Sequence, residues 1–194
     1  MDTNAKLYQD LERVLITREE IHEAVKKLGQ QITKDYAGKE PLMVCILKGA
    51  VMFYNDLIRE IDLPITMEFM AISSYGNSTK TSGVVNIRKD MDVDITGRDI
   101  IIVEDIVDSG MTLSYLKKVL ETRNAASISI ATLLNKPARR RVDLDVEYYC
   151  FNIPDAFVVG YGLDYAENTV ICLISGCFIP EFTQMKHEMI VKQS

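Results

Sequence analysis

The sequence predicts an α/β fold, with a mostly parallel central sheet covered by helices on both faces. Three observations predict it. Strand-like apolar runs alternate with stripes of helical period along the chain, the order expected of βαβ units. The run Ile101-Ile102-Val103-Glu104-Asp105-Ile106-Val107-Asp108-Ser109-Gly110-Met111-Thr112 passes from an apolar strand, through carboxylates, into a loop that opens a helix. Ligands of open α/β sheets bind at such strand-to-helix junctions. Finally, 194 residues with 47% hydrophobic content suffice for a full core, since domains commonly run to about 100–200 residues. Neither a repeat nor a linker interrupts the chain, so one domain over residues 1–194 is expected.

The elements follow in order. Thr17-Arg18-Glu19-Glu20 has the capping-box pattern, and Ile21, Ala24, Val25, Leu28 and Ile32 continue it as a helical stripe. Pro41 ends that region. Residues 42–47 read as a buried strand with Lys48-Gly49 at its carboxyl end, and Val51, Tyr54 and Ile58 carry on as a helix. Residues 65–72 form a further strand. The polar stretch 73–83, Ser-Ser-Tyr-Gly-Asn-Ser-Thr-Lys-Thr-Ser-Gly, has the composition of a mobile loop. Its length suits a surface hairpin or an active-site lid. Residues 99–103 form the strand before the central run. Leu113, Leu116 and Leu120 recur at helical spacing, which starts a helix near Thr112. Residues 127–134 and 157–161 read as strands. Arg139-Arg140-Arg141 reads as a solvated turn, or as part of a subunit interface.

Composition excludes several classes. The formal net charge of −6 argues against nonspecific nucleic-acid binding. An anionic substrate must therefore meet local cations or a metal rather than a favourable overall field. The apolar runs fall short of the ~20 residues that a membrane span needs. Met1-Asp2-Thr3-Asn4 does not resemble a signal peptide, so the expected location is cytoplasmic. Cys45, Cys150, Cys172 and Cys177 lack C-x-x-C spacing and read as free thiols in a reducing compartment. His22 and His187 sit near no nucleophile elbow or metal-pair motif. His22 reads as a helix-surface residue.

The central run carries the chemistry. Glu104 and Asp105 suit a Mg²⁺ that keeps several waters, or the paired hydroxyls of a ribose. The backbone N–H groups of residues 109–112 point out of a helix N-terminus, a ready phosphate site. Gly110 permits close approach, while the Ser109 and Thr112 hydroxyls add donors. The alternative is that Asp108 and Ser109 only cap a helix beside two solvated acids.

The same run resembles the signature of type I phosphoribosyltransferases, and the other segments resemble their hypoxanthine (6-oxopurine) branch. Five segments carry this resemblance: Leu47-Lys48-Gly49, Ser74-Tyr75-Gly76, residues 104–112, Asn135-Lys136-Pro137 and residues 157–165. It implies the type I phosphoribosyltransferase fold, with a small hood from the terminal segments. It also implies transfer of ribose-5-phosphate from phosphoribosyl pyrophosphate (PRPP) to hypoxanthine or guanine, with Mg²⁺, in a homodimer or homotetramer engaged in purine salvage. Residues 108–112, Met111 through its N–H alone, would hold the 5′-phosphate. Glu104 and Asp105 would face the ribose hydroxyls directly or through Mg²⁺. Asp108 would be the general acid/base at purine N7. Lys136 would donate to the purine O6, Phe157 would stack on the base, and the Val158 backbone would meet its edge. Asp164 would bind a second Mg²⁺ that carries pyrophosphate, and it counts among the purine-binding residues. Lys48 and Gly49 would line the pyrophosphate site, where the family often has a cis peptide. Ser74 and Tyr75 would close over the site as the lid.

One stretch departs from the family pattern. A Tyr-Arg-Asn-Leu-Pro-Tyr-Ile-like segment, whose arginine binds pyrophosphate, should follow Asn168. This chain reads Thr169-Val170-Ile171-Cys172-Leu173-Ile174-Ser175, with Val170 at the arginine position. The codons TAC CGT AAT TTG CCT TAT ATC, losing their first T and gaining a later G, translate into those seven residues. We hypothesise a compensated frameshift, in the gene or in its reading. An intact mass equal to that of the written residues would rule out a reading error.

Two competing readings are a PRPP-sensing regulator without turnover and a phosphoribosyltransferase for another base. The first lacks a visible DNA-binding segment or basic face. Lys136 and residues 157–164 count against the second.

Overall fold

A computed structural model describes residues 11–74, 85–163 and 175–178. Six strands form the main sheet in the order β4-β3-β2-β5-β6-β7. They are β2 (Leu42–Leu47), β3 (Thr66–Ser74), β4 (Val85–Lys89), β5 (Asp99–Val107), β6 (Ser127–Asn135) and β7 (Tyr148–Asn152). All neighbours are parallel except β3 and β4. A second, three-stranded sheet joins β1 (Leu11–Ile16), β9 (Ser175–Phe178) and β8 (Val158–Val159). It brings segments near the two ends of the chain together, as the expected hood requires.

Helix α1 (Arg18–Asp35) starts where the capping box places it. The Thr17 hydroxyl accepts from Glu20 N–H at 3.3 Å, and the Glu20 carboxylate accepts from Thr17 N–H at 2.8 Å. Those bonds hold the Glu20 carboxyl below its ordinary range. The predicted stripe faces inward, with Ile21, Val25, Leu28 and Ile32 buried, while His22 is exposed.

Strands β2 and β5 are apolar on both faces because the sheet is covered on both. Met43, Cys45, Ile101 and Val103 pack on the side of α1 and α2 (Val51–Arg59). Leu42, Val44, Ile100 and Ile102 pack on the opposite side against Leu113, Leu116 and Leu120 of α3 (Met111–Glu121). Alternation along each strand thus feeds two cores, and the carboxyl end of β5 is wedged rigidly between them. Among the described residues no helix is long and apolar enough to cross a membrane.

The structure extends several predicted elements. β5 does not end at residue 103 but continues to Val107, because Glu104, Ile106 and Val107 pair with Thr132, Leu134 and Asn135 of β6. Both acids therefore lie within the strand, Glu104 opposite Thr132 and Asp105 between paired residues. The run 157–161 shortens to β8. β4 and β7, at the two edges of the main sheet, and the strands β1 and β9 were not among the sequence-predicted strands.

Candidate active site

The site is built around the end of β5. Glu104 and Asp105 are adjacent, and Asp105 is only 8% exposed, with Oδ1 accepting from Ile106 N–H at 2.6 Å. Glu104 Oε2 is buried and has no hydrogen-bond partner. Burial, then the neighbouring Asp105 charge, pushes the Glu104 carboxyl well above its ordinary value. Burying a carboxylate costs free energy unless it is paired, so these oxygens invite a cation or hydroxyl donors. Cys45, on the adjacent strand, feels the same environment: burial, then Glu104 and Asp105, pushes its thiol up to about 12.

Glycine at two positions lets the surrounding loops close on these acids. A Cβ on Gly49 would lie 1.8 Å from Asp105 Oδ2. A Cβ on Gly162, whose φ is +98°, would lie 2.1 Å from the Gly49 carbonyl oxygen. The Lys48-Gly49 turn is therefore sandwiched between Asp105 and the tight turn around Gly160–Leu163. The Leu47–Lys48 peptide bond is cis. The Tyr161 hydroxyl donates to Asp56 of α2, which ties the 160–163 turn to the body of the fold.

Beyond β5, Gly110 adopts φ +77° and caps α3 with no side-chain hydrogen bond. The first turn of α3 contains no acidic residue, so its open N–H groups and dipole favour an anion. Ser109 Oγ accepts from Met111 N–H at a long 3.4 Å, and the Ser109 carbonyl accepts from Arg141 N–H at 3.0 Å. A cavity of about 270 Å³ joins Glu104 to Asp108, Ser109, Gly110 and Thr112. One hollow thus contains the Glu104 and Asp108 side chains together with a phosphate-sized cradle.

Lys136 directly follows β6. It is only 6% exposed, its N–H donates to Val107 O at 3.0 Å, and its Nζ donates to Ala156 O at 2.7 Å. The ammonium keeps two further donors, beside an exposed Phe157 and a buried Val158. Asn135 Nδ2 donates to Asn152 Oδ1 at 2.8 Å and thereby ties the ends of β6 and β7 together beneath this lysine.

The family described as a phosphoribosyl transferase domain matches residues 17–166. A hypoxanthine-guanine phosphoribosyltransferase of Streptococcus thermophilus is 52% identical over 161 residues, covering 83% of this chain and 89% of that protein. The chain belongs to the hypoxanthine-guanine phosphoribosyltransferase family. A second member, from Bacillus subtilis, is 54% identical over 158 residues, 81% of this chain and 88% of its own length. The crystal structure of a Staphylococcus aureus hypoxanthine phosphoribosyltransferase superimposes with a TM-score of 0.90 at 44% identity, covering 93% of this chain and 98% of the other.

Within this phosphoribosyltransferase framework, the structure brings Glu104, Asp105, Asp108, Ser109, Gly110, Met111, Thr112, Lys48, Gly49, Lys136, Phe157 and Val158 to strand ends and loops at the carboxyl edge of the sheet. Ser74 is the last residue of β3. Tyr75, Asp164 and Val170 lie outside the described residues. The Arg139-Arg140-Arg141 run is not a free solvated turn. It folds back on the 108–110 loop, with Arg139 Nε 2.9 Å from Asp108 Oδ1, and Arg140 Nη2 donating to Asn135 Oδ1 at 2.6 Å. The short helix Pro137–Arg139 causes this by reversing the chain after Lys136. In the sequence, the only signal of that reversal is the Lys136-Pro137 step.

Proposed function

We propose that this chain transfers the 5-phosphoribosyl group of PRPP to N9 of hypoxanthine or guanine, forming IMP or GMP and releasing pyrophosphate. The observation that carries this reading is the single hollow running from Glu104 to residues 108–112, with the buried Lys136 tied by its N–H to Val107, which also lines that hollow.

In this reading the amides and hydroxyls of 109–112 fix the 5′-phosphate, and Glu104 and Asp105 receive the ribose hydroxyls. As the bond to pyrophosphate breaks, positive charge develops on the sugar. Carboxylates already fixed in the strand stabilise it without reorganising. Asp108 takes the N7 proton as N9 bonds to the anomeric carbon. Lys136 Nζ donates to O6. Adenine presents a donor there, which would leave a buried ammonium facing another donor. Phe157 stacks on the base, and Val158 contributes its backbone. Lys48 and Gly49 line the pyrophosphate site through backbone groups, and Ser74 and Tyr75 close over it and keep water out.

Mg²⁺ suits the donor set, because Glu104 Oε2 is a buried, unpartnered hard oxygen beside a second carboxylate. Glu104 and Asp105 would hold one ion, and Asp164 would hold another. A bound Mg²⁺ would neutralise charge on the departing pyrophosphate. We further propose a cytoplasmic homodimer or homotetramer as the working form.

The test is pyrophosphate release from PRPP with each purine in turn, with and without Mg²⁺. Hypoxanthine and guanine should be consumed in the presence of Mg²⁺, and adenine should not. PRPP binding without turnover on any base would favour the regulator instead.

A further inference from the structure

The mechanism above leaves Arg139 unused, yet its guanidinium bridges two acids, Asp108 and Asp155. Nε lies 2.9 Å from Asp108 Oδ1, and Nη1 donates to Asp155 Oδ1 at 2.9 Å. Asp108 belongs to the phosphate loop, while Asp155 stands two residues before Phe157. A planar guanidinium presents its donors in a fixed fork, so it sets the spacing of two carboxylates in a way that an ammonium does not.

The backbone holds Arg139 in place. Its N–H donates to Lys136 O at 3.1 Å, Lys136 N–H donates to Val107 O, and Arg141 N–H donates to Ser109 O. The 136–141 turn is thus attached to the 107–109 segment on both sides of Asp108. Arg140 supports the turn from below. Its Nη2 bonds to Asn135, and its Cδ and Nη1 lie 2.9 Å from where a Gly110 Cβ would stand.

The approach to Asp108 is specific in its atoms. Oδ1 is buried and makes no aligned hydrogen bond, although Arg139 Nε is in ion-pair contact with it. The Asp108 side chain is nonetheless 43% exposed, which leaves Oδ2 as the oxygen presented to an incoming base. Ion pairs this exposed contribute little to stability, so the consequence of the contact lies in orientation.

We infer that Arg139 is a positioning residue for Asp108: it pins Oδ1, turns Oδ2 toward purine N7, and couples that orientation through Asp155 to the segment carrying Phe157. The inference rests on the reading of Asp108 as the general base.

Steady-state kinetics of R139Q, R139K, D108N and the R139Q/D108N double variant, run with Mg²⁺, PRPP and hypoxanthine, test it. R139Q should lower kcat about ten- to a hundredfold, the scale expected when a reacting group is misplaced. The KM for PRPP and the melting temperature should stay at wild-type values, and R139K should recover part of the loss. In the D108N background R139Q should have no further effect. Wild-type kcat in R139Q, or an equal loss with and without Asp108, would overturn the inference alone. Full turnover in D108N would remove the general-base reading, and this inference with it.

Discussion

A methyl group at residue 49 would strike the most confined carboxylate of the site. An ideal Cβ there lies 1.8 Å from Asp105 Oδ2 and 2.9 Å from Asp105 Cγ. Contact distances are about 3.5 Å, so G49A must displace Asp105 or the Lys48-Gly49 turn by more than about 1 Å. Displacement of that size at a reacting centre costs about 100-fold in rate, or about 2.7 kcal/mol of transition-state stabilisation. Overpacking would also remove about 1–3 kcal/mol of stability. The assay is the initial rate of pyrophosphate release against PRPP at saturating hypoxanthine, paired with thermal melting. G38A is the control. Gly38 has φ +78° but no atom within 4 Å of an added Cβ, so it should cost only about 1–2 kcal/mol of backbone energy and leave kcat/KM intact. Wild-type kcat/KM in G49A would refute the claim that Asp105 must stay where the turn holds it.

Other outcomes follow from the same geometry. K136M keeps the bulk of a 6%-exposed side chain but removes its charge. It should cut kcat/KM for hypoxanthine by about 10- to 150-fold, the worth of a charged hydrogen bond of about 1.5–3 kcal/mol, with the KM for PRPP unchanged. E104Q should abolish turnover yet raise the melting temperature of the metal-free protein by a few degrees, about 1 kcal/mol for a chain this size. The fold raises the Glu104 pKa, so Glu104 stabilises less as pH climbs above its ordinary value of 4.5. The advantage of E104Q should therefore widen between about pH 4.5 and 7 in melting curves; an advantage that shrinks would contradict the assigned sign. At alkaline pH, the raised thiols of Cys45 and Cys150, each pushed up to about 12 by burial, stay protonated in the fold while unfolded thiols ionise near 9.0. Unfolded chains then bind fewer protons, so denaturant midpoints should fall as pH rises above about 9.

The sequence revealed most where local pattern and burial coincide. The apolar runs of β2 and β5 could be read because both faces are buried, and α1 because its cap and stripe agree. β4, with the sequence Val-Asn-Ile-Arg-Lys, is an antiparallel edge strand with little apolar signature, and β7 is an edge strand with Tyr149 exposed. Both owe their form to a neighbouring strand rather than to their own residues. The extension of β5 to Val107 likewise comes from pairing with β6. Glu104, Asp105 and the 109–112 loop could be read as a site because strand, acids and helix start are contiguous. Arg139 could not, because its contact with Asp108 depends on a chain reversal some thirty residues downstream of the loop. Gly162 against Gly49 is a long-range packing relation of the same kind.

The central claim is that one pentose phosphate lies between the β5 acids and the amides opening α3. A crystal structure of the protein with Mg²⁺ and a non-hydrolysable PRPP analogue tests it most directly. The 5′-phosphate should rest on the N–H groups of 109–112, with both ribose hydroxyls facing Glu104 and Asp105. An analogue bound elsewhere, with those acids and amides untouched, would contradict the account.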